Sequence, residues 1–448
     1  MRIDASITLS MLRAPLDAFF RLSADKTRNL QERWDPAQGA PVFTREGKYT
    51  TRGWTEWTQG FLYGAQLLQF DGTGDASFLR MGRENTLRHM ASHVSHTGVH
   101  DHGFNNISTY GNLRRLAIEG KTQEEADARA LFDLALKVSG AVQAARWTAI
   151  ADGTGFIHSF NGPHSLFSDT VRSCRSLVLA DALGHCLMGE GDRKISLRAR
   201  AIEHIRNTLL YNVFYGKGRD AYDERGRVAH EGLFNIKDGA YRCPSTQQGY
   251  SPFSTWTRGL AWVLLGCAEQ IEFFAEESEP DETLLDLLTE GACATGDFYI
   301  ENTAQDGIPF WDTGAPGLAH LGNYRERASE PENDYEPVDS SAAVIAAQGL
   351  LRLGRYLGPE QGDRYWRAGL NVAHTLYAPP YVSEDPQHQG LILHSVYHRP
   401  NGWDHVPEGR RVPCGESSMW GDYHAMELAV YLKRLIGNEP YLSFFGPI

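Results

Sequence analysis

Six stretches of this 448-residue chain are apolar nearly all round over helical lengths, and nothing else in the sequence narrows the fold as much. They run over residues 56–70, 105–118, 169–188, 255–270, 340–357 and 422–436. A helix without a polar face must be covered on every side. Between them lie amphipathic segments with their charges on one side, at 76–94, 124–142, 195–211, 282–299 and 361–376, and the N-terminal stretch 15–34 makes a sixth. Six buried helices alternating with six one-sided ones predict an array of helical hairpins. The expected class is all-α, an (α/α)6 barrel formed by a single domain over residues 1–448. Short β-like pieces at 220–234 and 390–398 leave that class unchanged, and no linker is long or polar enough to divide the chain.

Composition excludes several partners. With 42% hydrophobic and 22% charged residues the chain has ample material for a core. A formal charge of −13 argues against nucleic acid or an anionic membrane, since either needs a basic face. No run of eighteen apolar residues is present to span a bilayer. Residues 1–20 carry Arg2 and Arg13 but no continuous apolar run, so a cytoplasmic protein is expected, as a monomer or homodimer. Six cysteines, none in a CxxC pair, read as buried free thiols.

Closing the array puts the N-terminus of every inner helix at one end, and the chemically suggestive residues cluster there: Trp57, Asp101, Asp169, Trp256, Arg258, Asp339 and Asp422. Asp339 and Asp422 read first as helix caps. An aromatic content of 11%, with 10 Trp, suits the stacking platforms of a sugar cleft. Asp169 follows Phe167 and Ser168 at the head of a buried helix, where desolvation would raise its pKa as a general acid requires, whereas a capping role would lower it. Both readings stay open on spacing alone. Asp101 lies in His100-Asp101-His102-Gly103-Phe104, in which Gly103 permits close approach of backbone to ligand and Phe104 offers an apolar wall; the plain alternative is a capped turn. The run His93, His96, His100, His102 matches no standard metal-site spacing, so neither metal nor cofactor is expected. Arg258, set between Trp256 and Trp262 and following Gln247-Gln248, has the planar fork that suits a uronic acid carboxylate; the alternative is an interior ion pair with Asp101 or Asp169. His230 reads either as a donor to a sugar hydroxyl or as a solvated loop residue.

Taken in order, Trp57-Thr58-Gln59-Gly60-Phe61, His100 to Phe104, Phe167-Ser168-Asp169, Gln248-Gly249 with Ser254, Thr255-Trp256-Thr257-Arg258-Gly259-Leu260-Ala261-Trp262, Asp339-Ser340-Ser341-Ala342-Ala343 and Trp420-Gly421-Asp422-Tyr423 resemble glycoside hydrolase family 88, the unsaturated glucuronyl hydrolases. The resemblance implies an (α/α)6 barrel acting without metal or cofactor on the Δ4,5-unsaturated uronic acid that lyases leave at the non-reducing end of oligosaccharides. The chemistry implied is hydration of an enol ether, with Asp169 protonating C4 and activating the water for C5 while Asp101 orients the substrate and shares the proton. Arg258, Gln248, His230, His100 and Ser254 would contact polar groups, with Trp57, Phe61, Trp262 and Phe160 around the sugar ring. Two departures stand out: Phe160 where the family often has Trp, and Leu260 where it usually has Gln. Segments 317–337 and 398–416 have no clear counterpart and are expected to form the subsite for the leaving sugar. Competing readings are an unsaturated rhamnogalacturonyl hydrolase, an inverting glycosidase or epimerase on the same barrel, and a catalytically silent sugar-binding barrel.

Overall fold

The computed structural model describes residues 1–53, 56–123, 126–441 and 443. Twelve helical units dominate it. In chain order they are α1 (Arg13–Arg33), α2 (Gln59–Thr73), α3 (Ala76–His89), α4 (His102–Asn106, Ile107–Gly111 and Asn112–Ile118 end to end), α5 (Ala126–Ala145), α6 (Thr170–Ser173 and Arg175–Ala182), α7 (Leu197–Tyr211), α8 (Thr257–Ala275), α9 (Glu282–Asn302), α10 (Ser340–Gln361), α11 (Asp363–Leu376) and α12 (Met419–Gly437). The six even-numbered helices follow the six apolar segments. α2 packs on α4, α4 on α6, α6 on α8, α8 on α10, α10 on α12, and α12 returns to α2. The amphipathic helices lie outside: α3 on α2, α5 and α7 on α6, α9 on α8, α11 on α10, and α1 against both α2 and α12. A mostly helical fold with apolar helices inside and amphipathic helices outside is therefore as expected.

Boundaries differ where local chemistry intervenes. The first two residues of the expected 124–142 helix, Glu124 and Glu125, lie outside the described residues. The 169–188 segment stops at Ala182, because Gly184 takes a left-handed φ of 79° and Leu187–Met188 pairs instead with Lys194–Ile195. The last inner helix begins before Asp422, since the Ser418 side chain caps it by accepting from the Gly421 amide. Asp422 is therefore not the cap; its carboxylate accepts from the Tyr49 hydroxyl and the Leu391 and Ile392 amides. Asp339 does cap, accepting from the Ser341 and Ala342 amides. The close approach that Gly103 permits is between helices rather than to a ligand: a Cβ there would sit 2.1 Å from the Ser173 carbonyl oxygen.

The thiols divide. Cys174, Cys267 and Cys414 are buried, Cys186 and Cys293 are half-buried, and Cys243 is exposed. Far from the inner-helix N-termini, Asp71 is enclosed by Arg115, Arg434 and Lys121; burial pushes its pKa up, but the three cations outweigh burial and hold it well below the usual carboxylate range. Among the described residues no helix is long and apolar enough to cross a membrane.

Candidate active site

A small antiparallel sheet sets up the site. Ser165–Phe167 pairs with Glu231–Phe234, which pairs with Tyr241–Ser245, and the Ser168 amide donates to the His230 carbonyl. Asp169, next in the chain, thus enters α6 beside His230. Asp101 stands at the matching position before α4. Both occupy N-cap positions, yet among the described residues neither side chain accepts from the amides of its own helix. The carboxylates turn instead to His100, whose Nε2 is 3.7 Å from Asp101 Oδ1 and 3.6 Å from Asp169 Oδ2.

This arrangement divides the two acids. Burial raises the Asp101 pKa, and the nearby Asp169 charge adds to the rise. Burial acts the same way on Asp169, but the His100 imidazole beside it outweighs burial and leaves Asp169 below its ordinary value. For His100, burial pulls the pKa down while the two carboxylates pull it up, and the carboxylates win. Of the two readings left open for Asp169, the direction is the lowered one, but the cause is an imidazole rather than capped amides, and the upward shift falls on Asp101. Ligand atoms of the three residues lie within 4.8 Å of one another. No other histidine of the 93–102 run joins them: His102 binds Ser139 Oγ and the His96 carbonyl.

The triad lines a pocket of about 240 Å³. Trp57, Trp256, Trp262 and Trp403 supply indole walls, and Phe160, 36% exposed, stacks on the His100 ring at 6.0 Å. Beneath Trp262 the charges are enclosed: Arg172 pairs with Glu269 and Glu427 and reaches His424, whose ring meets the Trp262 indole edge-on at 5.0 Å.

Arg258 lines the pocket, but its fork is occupied. One terminal nitrogen donates to Asp339 Oδ2 at 2.8 Å and to the Val396 carbonyl, the other to the Tyr397 carbonyl at 2.8 Å and to Gln248 Oε1 at 3.1 Å. Trp256 and Trp420 sandwich the guanidinium at 4.6 and 4.9 Å. The ion pair weighed for Arg258 exists, with Asp339 in place of Asp101 or Asp169. Gln248 also lines the pocket, and its side-chain oxygen is taken by Arg258. His230 is buried rather than solvated: the Gln247 and Gln248 amides donate to its Nδ1, which puts the ring proton on Nε2, and burial lowers its pKa to about 4. The neutral ring packs on Phe167 at 4.3 Å.

The structure brings Asp101, Asp169, His100, Gln248, Arg258, Trp57, Trp262 and Phe160 to one pocket. Phe61 is fully buried behind Trp57, a support for the wall and not part of it. Ser254 lies off the pocket, donating to the Ser251 carbonyl. Sequence reasoning missed His96, Tyr397, His398 and Trp403 as lining residues. The turn signal Pro400-Asn401-Gly402 between aromatic residues was the available hint. Segment 398–416 does reach the pocket through His398 and Trp403, while no residue of 317–337 lines it.

By shape, the chain is similar to a solved unsaturated glucuronyl hydrolase from Bacillus sp. GL1, which superposes with a TM-score of 0.70 at 22% identity, covering 93% of this chain and 96% of that one, and so shares its fold. By sequence, it is similar to the unsaturated glucuronyl hydrolase of Formosa agariphila, 24% identical over 387 residues (85% of this chain, 81% of the relative), and to that of Bacillus sp. strain GL1, 26% identical over 398 residues (86% and 89%). No protein-family profile matches the chain.

Proposed function

We propose that the chain is an unsaturated glucuronyl hydrolase, a single-domain (α/α)6 barrel that removes a Δ4,5-unsaturated uronic acid from the non-reducing end of an oligosaccharide by hydrating its C4=C5 enol ether. The observation that carries this reading is the convergence of Asp101 and Asp169 on His100 inside an aromatic-walled pocket. Similarity to relatives of that name over more than four fifths of the chain supports it.

Such a reaction needs a proton at C4 and a water oxygen at C5. Asp101, whose carboxyl burial shifts toward the protonated form, is suited to give the proton; Asp169, which His100 shifts toward the ionised form, is suited to take one from the attacking water. This reverses the assignment drawn from the resemblance. His100 lies between the two and is placed to return the proton from Asp169 to Asp101. The C5 hemiketal then opens to a ketone, and the C1 hemiacetal so formed collapses to an aldehyde and frees the leaving sugar. One water is consumed, and no metal or cofactor enters the balance. A neutral donor, the Gln248 side-chain amide, is available to the uronate at the pocket wall, with Trp57 and Trp262 against the ring faces; His230 is buried and does not line the pocket.

An inverting glycosidase fits less well. Its two carboxyls stand roughly 6.5–9.5 Å apart to admit a water, whereas the ligand atoms here lie within 4.8 Å. Incubation with lyase-generated disaccharides from hyaluronan, chondroitin, heparin and gellan is expected to abolish the ultraviolet absorbance of the conjugated uronate for at least one of them, with a 4-deoxy-5-keto product. Retention of that absorbance across the panel, with saturated sugars cleaved instead, overturns the reading.

The acid pair also fixes a pH profile. A raised Asp101 pKa keeps the donor protonated above the ordinary carboxylate value of about 3.9, and a lowered Asp169 pKa keeps the base ionised below it. Both active forms coexist between the two values, so kcat/KM is expected to be highest on the acid side of neutrality and to fall as rising pH strips Asp101 and His100. A pH–rate profile that climbs steadily into the alkaline range contradicts this.

A further inference from the structure

Four successive backbone amides in the loop that carries Gln248 have partners, and none of those partners lines the pocket. The Gln247 and Gln248 amides donate to His230 Nδ1 at 3.1 and 3.3 Å, the Gly249 amide to Thr246 Oγ1 at 2.8 Å, and the Tyr250 amide to Asp312 Oδ2 at 2.8 Å. Asp312 is fully buried, and its other oxygen accepts from the Gly314 amide at 2.8 Å. The Asp312 backbone also forms a β-bridge to Trp256, an indole wall of the pocket. Asp312 therefore ties the Gln248 loop and the 312–314 turn together through its carboxylate, and Trp256 to both through its backbone.

The loop is pressed against that anchor. A Cβ on Gly249 would meet Thr246 Oγ1 at 2.6 Å and both Asp312 Oδ2 and the Trp256 Cβ at 3.0 Å, so only glycine fits between anchor and pocket. Gln248 is the neighbouring residue, and its side chain is held through Oε1 by Arg258. Its direction depends on the backbone from which it projects.

The geometry points to Asp312 as a positioning residue for Gln248, fixing the loop so that the side-chain amide nitrogen faces the uronate without itself touching substrate. The inference rests on the hydrolase reading above. A hydrogen bond to a charged group is worth enough that its loss changes binding by about tenfold or more.

Asp312→Asn retains the size and one acceptor but loses the second. Assayed with an unsaturated disaccharide that the wild type cleaves, Asp312→Asn is expected to raise KM about tenfold with kcat within about twofold. In a Gln248→Ala background the same substitution is expected to add less than about twofold, because the side chain being aimed is gone. Gly249→Ala, which displaces the loop while leaving Asp312 intact, is the second variant and should show the same KM rise with the same masking; it decides the matter where Asp312→Asn does not fold. An unchanged KM, a loss confined to kcat, or full additivity with Gln248→Ala overturns the inference. The wild-type rate tests the hydrolase reading separately, since the positioning claim is read only from ratios to it.

Discussion

Asp169→Asn is expected to leave an unsaturated disaccharide bound and to cut kcat by about 10²–10⁴-fold, the range that a positioned acid or base contributes. Asparagine keeps the shape of the carboxylate but cannot take a proton from water. The residue is buried, makes no cap to its own helix among the described residues, and leaves Oδ1 unpartnered, so little structure depends on its charge. Equilibrium binding of the disaccharide and single-turnover rates separate the two effects. Asp101→Asn should fall into the same range for the opposite reason, since it removes the proton donor. Turnover by Asp169→Asn at the wild-type rate removes that residue from the mechanism.

The largest stability effect is expected at Arg258. Arg258→Met should destabilise the fold by about 3–5 kcal/mol, the cost of leaving one partner of a buried ion pair uncompensated. Asp339, fully buried, would keep its caps but lose the guanidinium at 2.8 Å. The carbonyls of Val396 and Tyr397 would lose their donor as well. Denaturant unfolding measures the loss, and the cycle with Asp339→Asn should recover much of it. KM should rise too, through release of Gln248 Oε1 rather than through loss of a direct carboxylate partner. A variant of wild-type stability with a raised KM would restore Arg258 to the direct role suggested by its neighbours in sequence.

Helix identity was legible because polarity alone separates a helix that is covered on all sides from one that is half wet. The limits were less so: α12 starts at Met419 because a serine hydroxyl reaches the Gly421 amide, and Asp422, the more familiar capping residue, is engaged elsewhere. The meeting of Asp101 and Asp169 followed from placing both at inner-helix entrances. Their electrostatic ordering did not, since it depends on an imidazole that lies within 4 Å of both only after folding. The partner of Arg258 was hidden for a related reason: Asp339 is 81 residues away in the chain, and an arginine flanked by indoles reads as a ligand-binding group until its fork is seen to be filled. His398 and Trp403 lie in a loop without periodicity, where pattern reading has nothing to count.

α12 seats between α10 and α2, so one helix joins the earliest inner helix to one more than 250 positions further along the chain. Were α12 undocked, α2 and α10 would each present a greasy flank with no neighbour. A partly folded molecule in that state is the one prone to stick to its like.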